Sequence, residues 1–223
     1  CIRDSDEPVK LDTLTIDIGA SSKAEAEKYV SPGDCAYFRS DYTELGNGYL
    51  REKALDDRIG CAIMVDILNK DLPYDVTCVF TVQEEIGTRG AKVAAYTVKP
   101  DYAIVLETTT ACDFSGNDGE KRVCELGKGC VVSYMDRSTI YDRELYRLGF
   151  EKAKEINVPC QTKTLVAGGN DSGAIHSSVG GIRTVALSVP CRYLHSSSCM
   201  IKKSDVQSTA ELAYAMYLAL AEK

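Results

Sequence analysis

The sequence predicts an α/β fold in which helices cover both faces of a largely parallel sheet, and three observations predict it. Short apolar runs such as residues 76–82 (VTCVFTV) and 102–106 (YAIVL) are continuous rather than alternating, the pattern of strands buried on both faces. Segments of helical periodicity separate these runs from residue 54 onward, which is how parallel strands are connected. With 223 residues, 44% of them hydrophobic, the chain is long enough for one such domain with a proper core and a small appendage.

Taken in order, residues 1–53 stand apart. They are charged and rich in turn signals, Ser31-Pro32-Gly33-Asp34 and Gly46-Asn47-Gly48, with strand-like runs at residues 14–18 and 36–38. This reads as the tail of a small β-rich module, followed by a catalytic domain over residues 54–223. A helix is expected over residues 58–69, because Ile59, Ile63 and Ile67 recur every fourth position on one face. The run at 76–82 is the next strand, residues 90–96 a helix, and 102–106 a further strand. Strands follow at residues 131–134, 161–166 and 184–189, with a helix over 142–156 between the first two. Ser204 followed by Gln207 is a capping-box start for the last helix, which carries Leu212, Met216 and Leu220 inward.

Composition narrows the function. A net charge of −7 provides no basic footprint for nucleic acid or for an anionic membrane surface, so a small or peptide substrate fits better. No run approaches the ~20 apolar residues that span a bilayer. The first residues, Cys1-Ile2-Arg3-Asp4-Ser5-Asp6, hold neither an initiator Met nor a signal-peptide core, so the chain reads as part of something longer. Ten cysteines sit mostly within apolar patterns, as Cys61, Cys78 and Cys130 do, and no pair has C-x-x-C spacing. Reduced thiols in a cytoplasmic protein are the expectation.

Ligands of open α/β sheets bind beyond the carboxyl ends of the strands, and acids collect at such places here. Gln83-Glu84-Glu85 follows the run ending at Val82, Glu107 closes the run ending at Leu106, and His195 lies beyond the run ending at Val189. Asp56-Asp57 stands ahead of a helix N-terminus. Each has a plainer reading. Either aspartate could cap the helix, and adjacent glutamates are usually a solvated loop. Two like charges beside a sheet edge are nevertheless costly without a cation, and a charge that continues an apolar strand needs a partner. His176, where helix propensity resumes, reads as structural or supporting, whereas His195 in a polar loop reads as a ligand. Carboxylates with few imidazoles and no thiolate suit a hydrolytic metal pair that shares a bridging carboxylate. One of two adjacent glutamates can then bind metal while the other moves protons.

At these residues the sequence resembles the metallo-aminopeptidases of bacteria and archaea that form tetrahedral dodecamers, some of whose members are named endoglucanases. The resemblance covers essentially the whole chain. It rests on Thr15-Ile16-Asp17-Ile18-Gly19-Ala20, Lys53-Ala54-Leu55-Asp56-Asp57-Arg58-Ile59-Gly60, Val82-Gln83-Glu84-Glu85-Ile86-Gly87, the run from Gly168 to His176, and Arg192-Tyr193-Leu194-His195-Ser196. It implies a three-layer αβα exopeptidase-like (phosphorylase/hydrolase-like) domain preceded by the remnant of a β-barrel dimerisation domain. It also implies two divalent metal ions, zinc or cobalt. In that scheme Asp56 bridges the two metals, Glu85 and His195 complete one shell, and Glu107 serves the other where many members carry aspartate. Glu84 is the general base and Asp57 orients its neighbour.

The family takes one further histidine ligand, strands of the catalytic sheet and most of the β-module from a segment ahead of the position matching Cys1. The resemblance therefore implies tighter binding at the Glu85/His195 metal than at the Glu107 metal. A homo-oligomer, a dodecamer for the full-length protein, is the implied assembly. Two alternatives stay open: an endoglucanase-type glycosidase, and an inactive scaffold without a full metal site. A glycosidase needs one acid held protonated across a sugar from a second, whereas these acids look like metal ligands.

Overall fold

The computed structural model describes residues 10–223. They fall into two compact units, one ending at Tyr37 and one spanning Phe38–Lys223. In the first unit a single helical turn, α1 (Lys23–Ala26), is capped by the Ser22 side chain, which accepts from the Glu25 N–H. The strands expected at residues 14–18 and 36–38 do not form, and Leu14, Ile16, Ile18, Tyr37 and Phe38 are exposed. Apolar content alone makes no strand, because a strand exists only against a partner.

The second unit begins with an antiparallel hairpin, β1 (Thr43–Leu45) and β2 (Tyr49–Glu52). The expected Gly46-Asn47-Gly48 turn joins them, with Asn47 and Gly48 at positive φ. β2 also pairs antiparallel with a strand from far along the chain, Cys199–Lys202, completing a three-stranded sheet. Helix α2 (Leu55–Leu68) and helix α3 (Arg89–Val98) stand where helices are expected, α2 starting three residues earlier and ending one earlier, α3 longer at both ends.

The main sheet holds β3 (Tyr102–Thr110), β4 (Cys130–Val132), β5 (Cys160–Thr162) and β6 (Arg183–Cys191), in the order β3-β6-β4-β5. β3 with β6 and β4 with β5 are parallel, but β4 meets β6 antiparallel, so the sheet is mixed rather than largely parallel. Between these strands run α4 (Arg143–Glu155), capped by Asp142, and the single turn α5 (Ser172–Ile175). The chain then closes with β7 (Cys199–Lys202) and α6 (Lys203–Ala221).

Alternate residues of β6 face opposite ways. Val185, Leu187 and Val189 pack with Ile63 and Ile67 of α2, Leu145 of α4, and Leu212, Met216 and Leu220 of α6. On the other face Ala186 and Val105 pack with Tyr141 and with Ile175 of α5, and α3 packs against α5. The result is an α/β architecture with helices on both sheet faces.

Three local expectations are corrected. The Ser204/Gln207 capping box does not form, since β7 runs directly into α6, Lys202 is the N-cap residue, and Gln207 bonds Glu211 instead. The strand expected at 161–166 stops at Thr162, and the Lys163 ammonium donates to the Ala167 carbonyl at 2.7 Å. Residues 76–82 form no strand, and Val82 is 67% exposed. β3 is the near edge of the main sheet, and a cavity of about 1080 Å³ is lined by residues 75–81 and 102–107 without a strand between them.

Candidate metal centre

Asp56 and Asp57 stand at the start of α2, joined by a cis peptide bond after Ala54 in the left-handed region, and neither has helical φ and ψ. Asp57 does what a capping residue does, its Oδ1 accepting from the Gly60 N–H at 3.0 Å. Asp56 is left free to turn toward the other acids.

Glu84 and Glu85 sit on a tight corner between the unpaired segment and α3. Gln83 has φ of 61° and the Glu84 carbonyl accepts from both the Gly87 and Thr88 N–H groups at 2.9 Å. Gly90 closes the corner, its N–H donating to the Val82 carbonyl at 2.9 Å. Only glycine fits there, because a Cβ would lie 2.5 Å from Val82 O and 2.6 Å from Val82 N.

Glu107 does not close a strand, as the sequence had suggested. β3 continues to Thr110 and Glu107 lies within it in register with Ser188, 8% exposed. The longer strand is dictated by its pairing with β6, which runs on to Cys191. His195 lies in the loop between β6 and β7 at φ of 59°, a conformation that costs a non-glycine residue roughly 1–2 kcal/mol.

These four elements converge. His195 Nε2 is 3.1 Å from Asp56 Oδ2 and 3.2 Å from Glu85 Oε2. Asp56, Glu85 and His195 offer one donor atom each within 4.8 Å of one another, and so do Asp56, Asp57 and Glu107. Asp56 belongs to both sets, and Glu84 to neither.

The electrostatics match this crowding. Burial, followed by the charges of Asp57 and Asp56, pushes Glu107 up to about 10. Burial pushes Asp57 up to about 8, partly opposed by its bond from Gly60. Glu84 rises to about 7, through burial first and then the charge of Asp171. Glu85 is raised by burial and by Asp56, with His195 acting the other way. Acids crowded so closely, arranged as two donor sets with one shared member, fit the binding of divalent metal.

His176 stays away from this cluster. It follows α5, and its Nδ1 lies 2.8 Å from the Ser172 carbonyl oxygen, a local structural bond. Asp171 was not singled out by the sequence as a site residue, although it lies in the run from Gly168 to His176. It is 6% exposed, accepts a hydrogen bond from the Thr81 hydroxyl, and has an Oδ1 without a partner among the described residues. Its place near the acids is set by tertiary packing, which leaves no mark in local sequence.

The chain is similar in sequence and fold to known aminopeptidases. The chain is 33% identical to the lysyl aminopeptidase of Pyrococcus furiosus over 218 residues, covering 96% of this chain and 62% of that protein. Its fold superimposes on aminopeptidase APDkam598 from Desulfurococcus kamchatkensis with a TM-score of 0.92 at 32% identity, covering 99% of this chain and 62% of that one. A second solved structure, the TET1 peptidase of Pyrococcus horikoshii, which can assemble into a tetrahedron or a large octahedral shell, matches with a TM-score of 0.78 at 31% identity. That match covers 96% of this chain and 66% of that one. The chain spans between 54% and 62% of the length of the curated relatives it matches. The sequence profile of the M42 glutamyl aminopeptidases aligns with residues 3–212, and the chain belongs to that family of peptidases.

Proposed function

We propose that the chain is the greater part of a dinuclear metal-dependent aminopeptidase that removes N-terminal residues from peptides. The observation that carries this reading is the pair of donor sets sharing Asp56, with Glu84 beside them and in neither. Asp56 would bridge two divalent ions, zinc or cobalt, with Glu85 and His195 on one and Glu107 on the other. When bound, such ions supply Lewis acidity to the scissile carbonyl and to the attacking water.

The chain's own residues do the remainder. Glu84 takes the proton of the water at its carboxylate and later delivers it to the leaving amine. Its half-buried position, which draws its proton affinity toward neutrality, suits both directions of transfer. Asp57 is held by the Gly60 N–H and keeps the adjacent Asp56 carboxylate aimed at the cluster. The site opens on a cavity of about 1290 Å³, lined by Glu84, Glu85, Glu107 and His195, which gives a peptide end room to enter.

We extend the proposal to the whole protein. Residues 1–53 would belong to a β-rich dimerisation module and residues 54–223 to the catalytic part, the pairing of β2 with β7 joining the two. Assembly into a dodecamer in the cytoplasm would follow, with peptides as substrates.

The test is an assay of the zinc- and cobalt-loaded protein on leucine and glutamate anilides beside carboxymethylcellulose, with and without chelator. Anilide hydrolysis that the chelator abolishes supports the peptidase. Release of reducing sugar without anilide hydrolysis supports the glycosidase reading and overturns this one. Elemental analysis of two variants checks the ligand set: His195→Ala lowers the metal stoichiometry and His176→Ala leaves it unchanged, and equal loss in both refutes the assignment of His195.

A further inference from the structure

Residues 75–82 lead into the glutamates of the site as a segment without strand pairing among the described residues. Among the described residues, one side-chain hydrogen bond ties residues 75–84 to the rest of the fold, from Thr81 Oγ1 to Asp171 Oδ2 at 2.5 Å. Thr81 is three positions ahead of Glu84. Whatever fixes Thr81 therefore fixes where the Glu84–Glu85 corner begins.

Asp171 has no competing local duty. It precedes α5 but its side chain makes no cap bond. That task falls to Asn170, whose Oδ1 accepts from the Ser172 N–H at 2.8 Å. Asn170 is itself held by the Tyr141 hydroxyl, to which its Nδ2 donates at 3.2 Å. The Tyr141 hydroxyl in turn donates to Asp136 Oδ2 at 2.6 Å. The turn bearing Asp171 is also packed without slack, since a Cβ on Gly169 or Gly173 would come within 2.6 Å of Ser138 Oγ. A buried carboxylate on so fixed a base, with one oxygen on Thr81, is a rigid anchor for a segment that has no other side-chain hydrogen bond to the rest of the fold among the described residues.

We propose that Asp171 is a positioning residue for the Glu84–Glu85 corner, acting through the Thr81 hydroxyl. The consequence for metal binding rests on the dinuclear reading above, while the tether itself does not. Asp171 touches neither the reacting atoms nor the donor sets, and its effect passes through the segment it holds.

Four variants separate the tether from packing and from charge: Thr81→Val and Asp171→Ala break it, while Thr81→Ser and Asp171→Asn keep a donor and an acceptor in place. The first readout is hydrogen exchange at the Gly87, Thr88, Arg89 and Gly90 amides, whose hydrogen bonds close the corner. The second is calorimetric titration with zinc alone. Exchange at these amides should quicken in Thr81→Val and Asp171→Ala, and zinc affinity should fall by roughly 10–100-fold, as losses of outer hydrogen-bonding partners typically do. Thr81→Ser and Asp171→Asn should match the wild type in both. Unchanged exchange in Thr81→Val, or equal loss in all four variants, overturns the proposal. Absence of zinc binding by the wild type overturns the dinuclear reading, and the exchange data still decide the tether.

Discussion

Glu84 and Glu85 are neighbours in sequence with different surroundings. Glu85 meets His195 at 3.2 Å and joins a donor set, whereas Glu84 joins none and is raised to about 7. Glu84→Gln should therefore keep the metal content and the melting temperature of the wild type and lose ~10²–10⁴-fold in turnover. A variant with full turnover would remove Glu84 from the mechanism. The buried acids make a second prediction, on stability. Asp57 rises from 3.8 to about 8 and Glu107 from 4.5 to about 10, so the folded, metal-free state keeps protons that the unfolded chain gives up. Their contribution is fully present below about pH 4 and is lost as pH climbs through the folded values. In chelator, the melting temperature should fall steadily from about pH 5 to about pH 9, and zinc should flatten that fall by stabilising the ionised forms. A melting temperature independent of pH in chelator would show that these acids are not strained. At this scale the sequence revealed the residue types and their neighbours. It did not reveal that Asp57 caps α2 while Asp56 does not, because that depends on backbone angles at residues 56 and 57.

Helices were the legible elements, since Ile59, Ile63 and Ile67 or Leu212, Met216 and Leu220 signal their own buried face through spacing alone. Strands were less so. Residues 76–82 and 102–106 have the same apolar character, yet the second pairs with β6 along its whole length and the first pairs with nothing among the described residues. Propensity is a local property and pairing is not, which is also why residues 14–18 were misread. The corner between the unpaired segment and α3 depends instead on close backbone approach. A Cβ at Gly90 would meet backbone atoms of Val82, which cannot yield as a flexible side chain can. Gly90→Ala should therefore cost about 1–3 kcal/mol in urea denaturation and weaken zinc binding, because the displaced corner carries Glu85. Destabilisation with zinc affinity intact would show that the corner and the metal site are uncoupled.

Across the whole molecule, the apolar surface left exposed has a pattern that a finished globule does not show. Val76, Val79, Phe80 and Val82 lie exposed along one unpaired segment, and β3 is the edge strand of the main sheet whose residues line the same cavity. An unpaired strand edge beside an apolar segment is a template for association with another chain. The chain also spans only 54% to 62% of its curated relatives, so the proposed dodecamer belongs to the whole protein. The 223-residue chain alone should then associate irregularly through this edge instead of closing into a symmetric particle. Light scattering decides between the two, with a broad, concentration-dependent mass distribution expected for this chain and a single large species for the whole protein. Substituting Phe80 and Val82 with lysine should narrow that distribution toward monomer, since charge on an exposed edge blocks pairing. A stable dodecamer formed by residues 1–223 alone, or a distribution that the two lysines leave untouched, would show that the exposed segment is not the surface through which the chain associates.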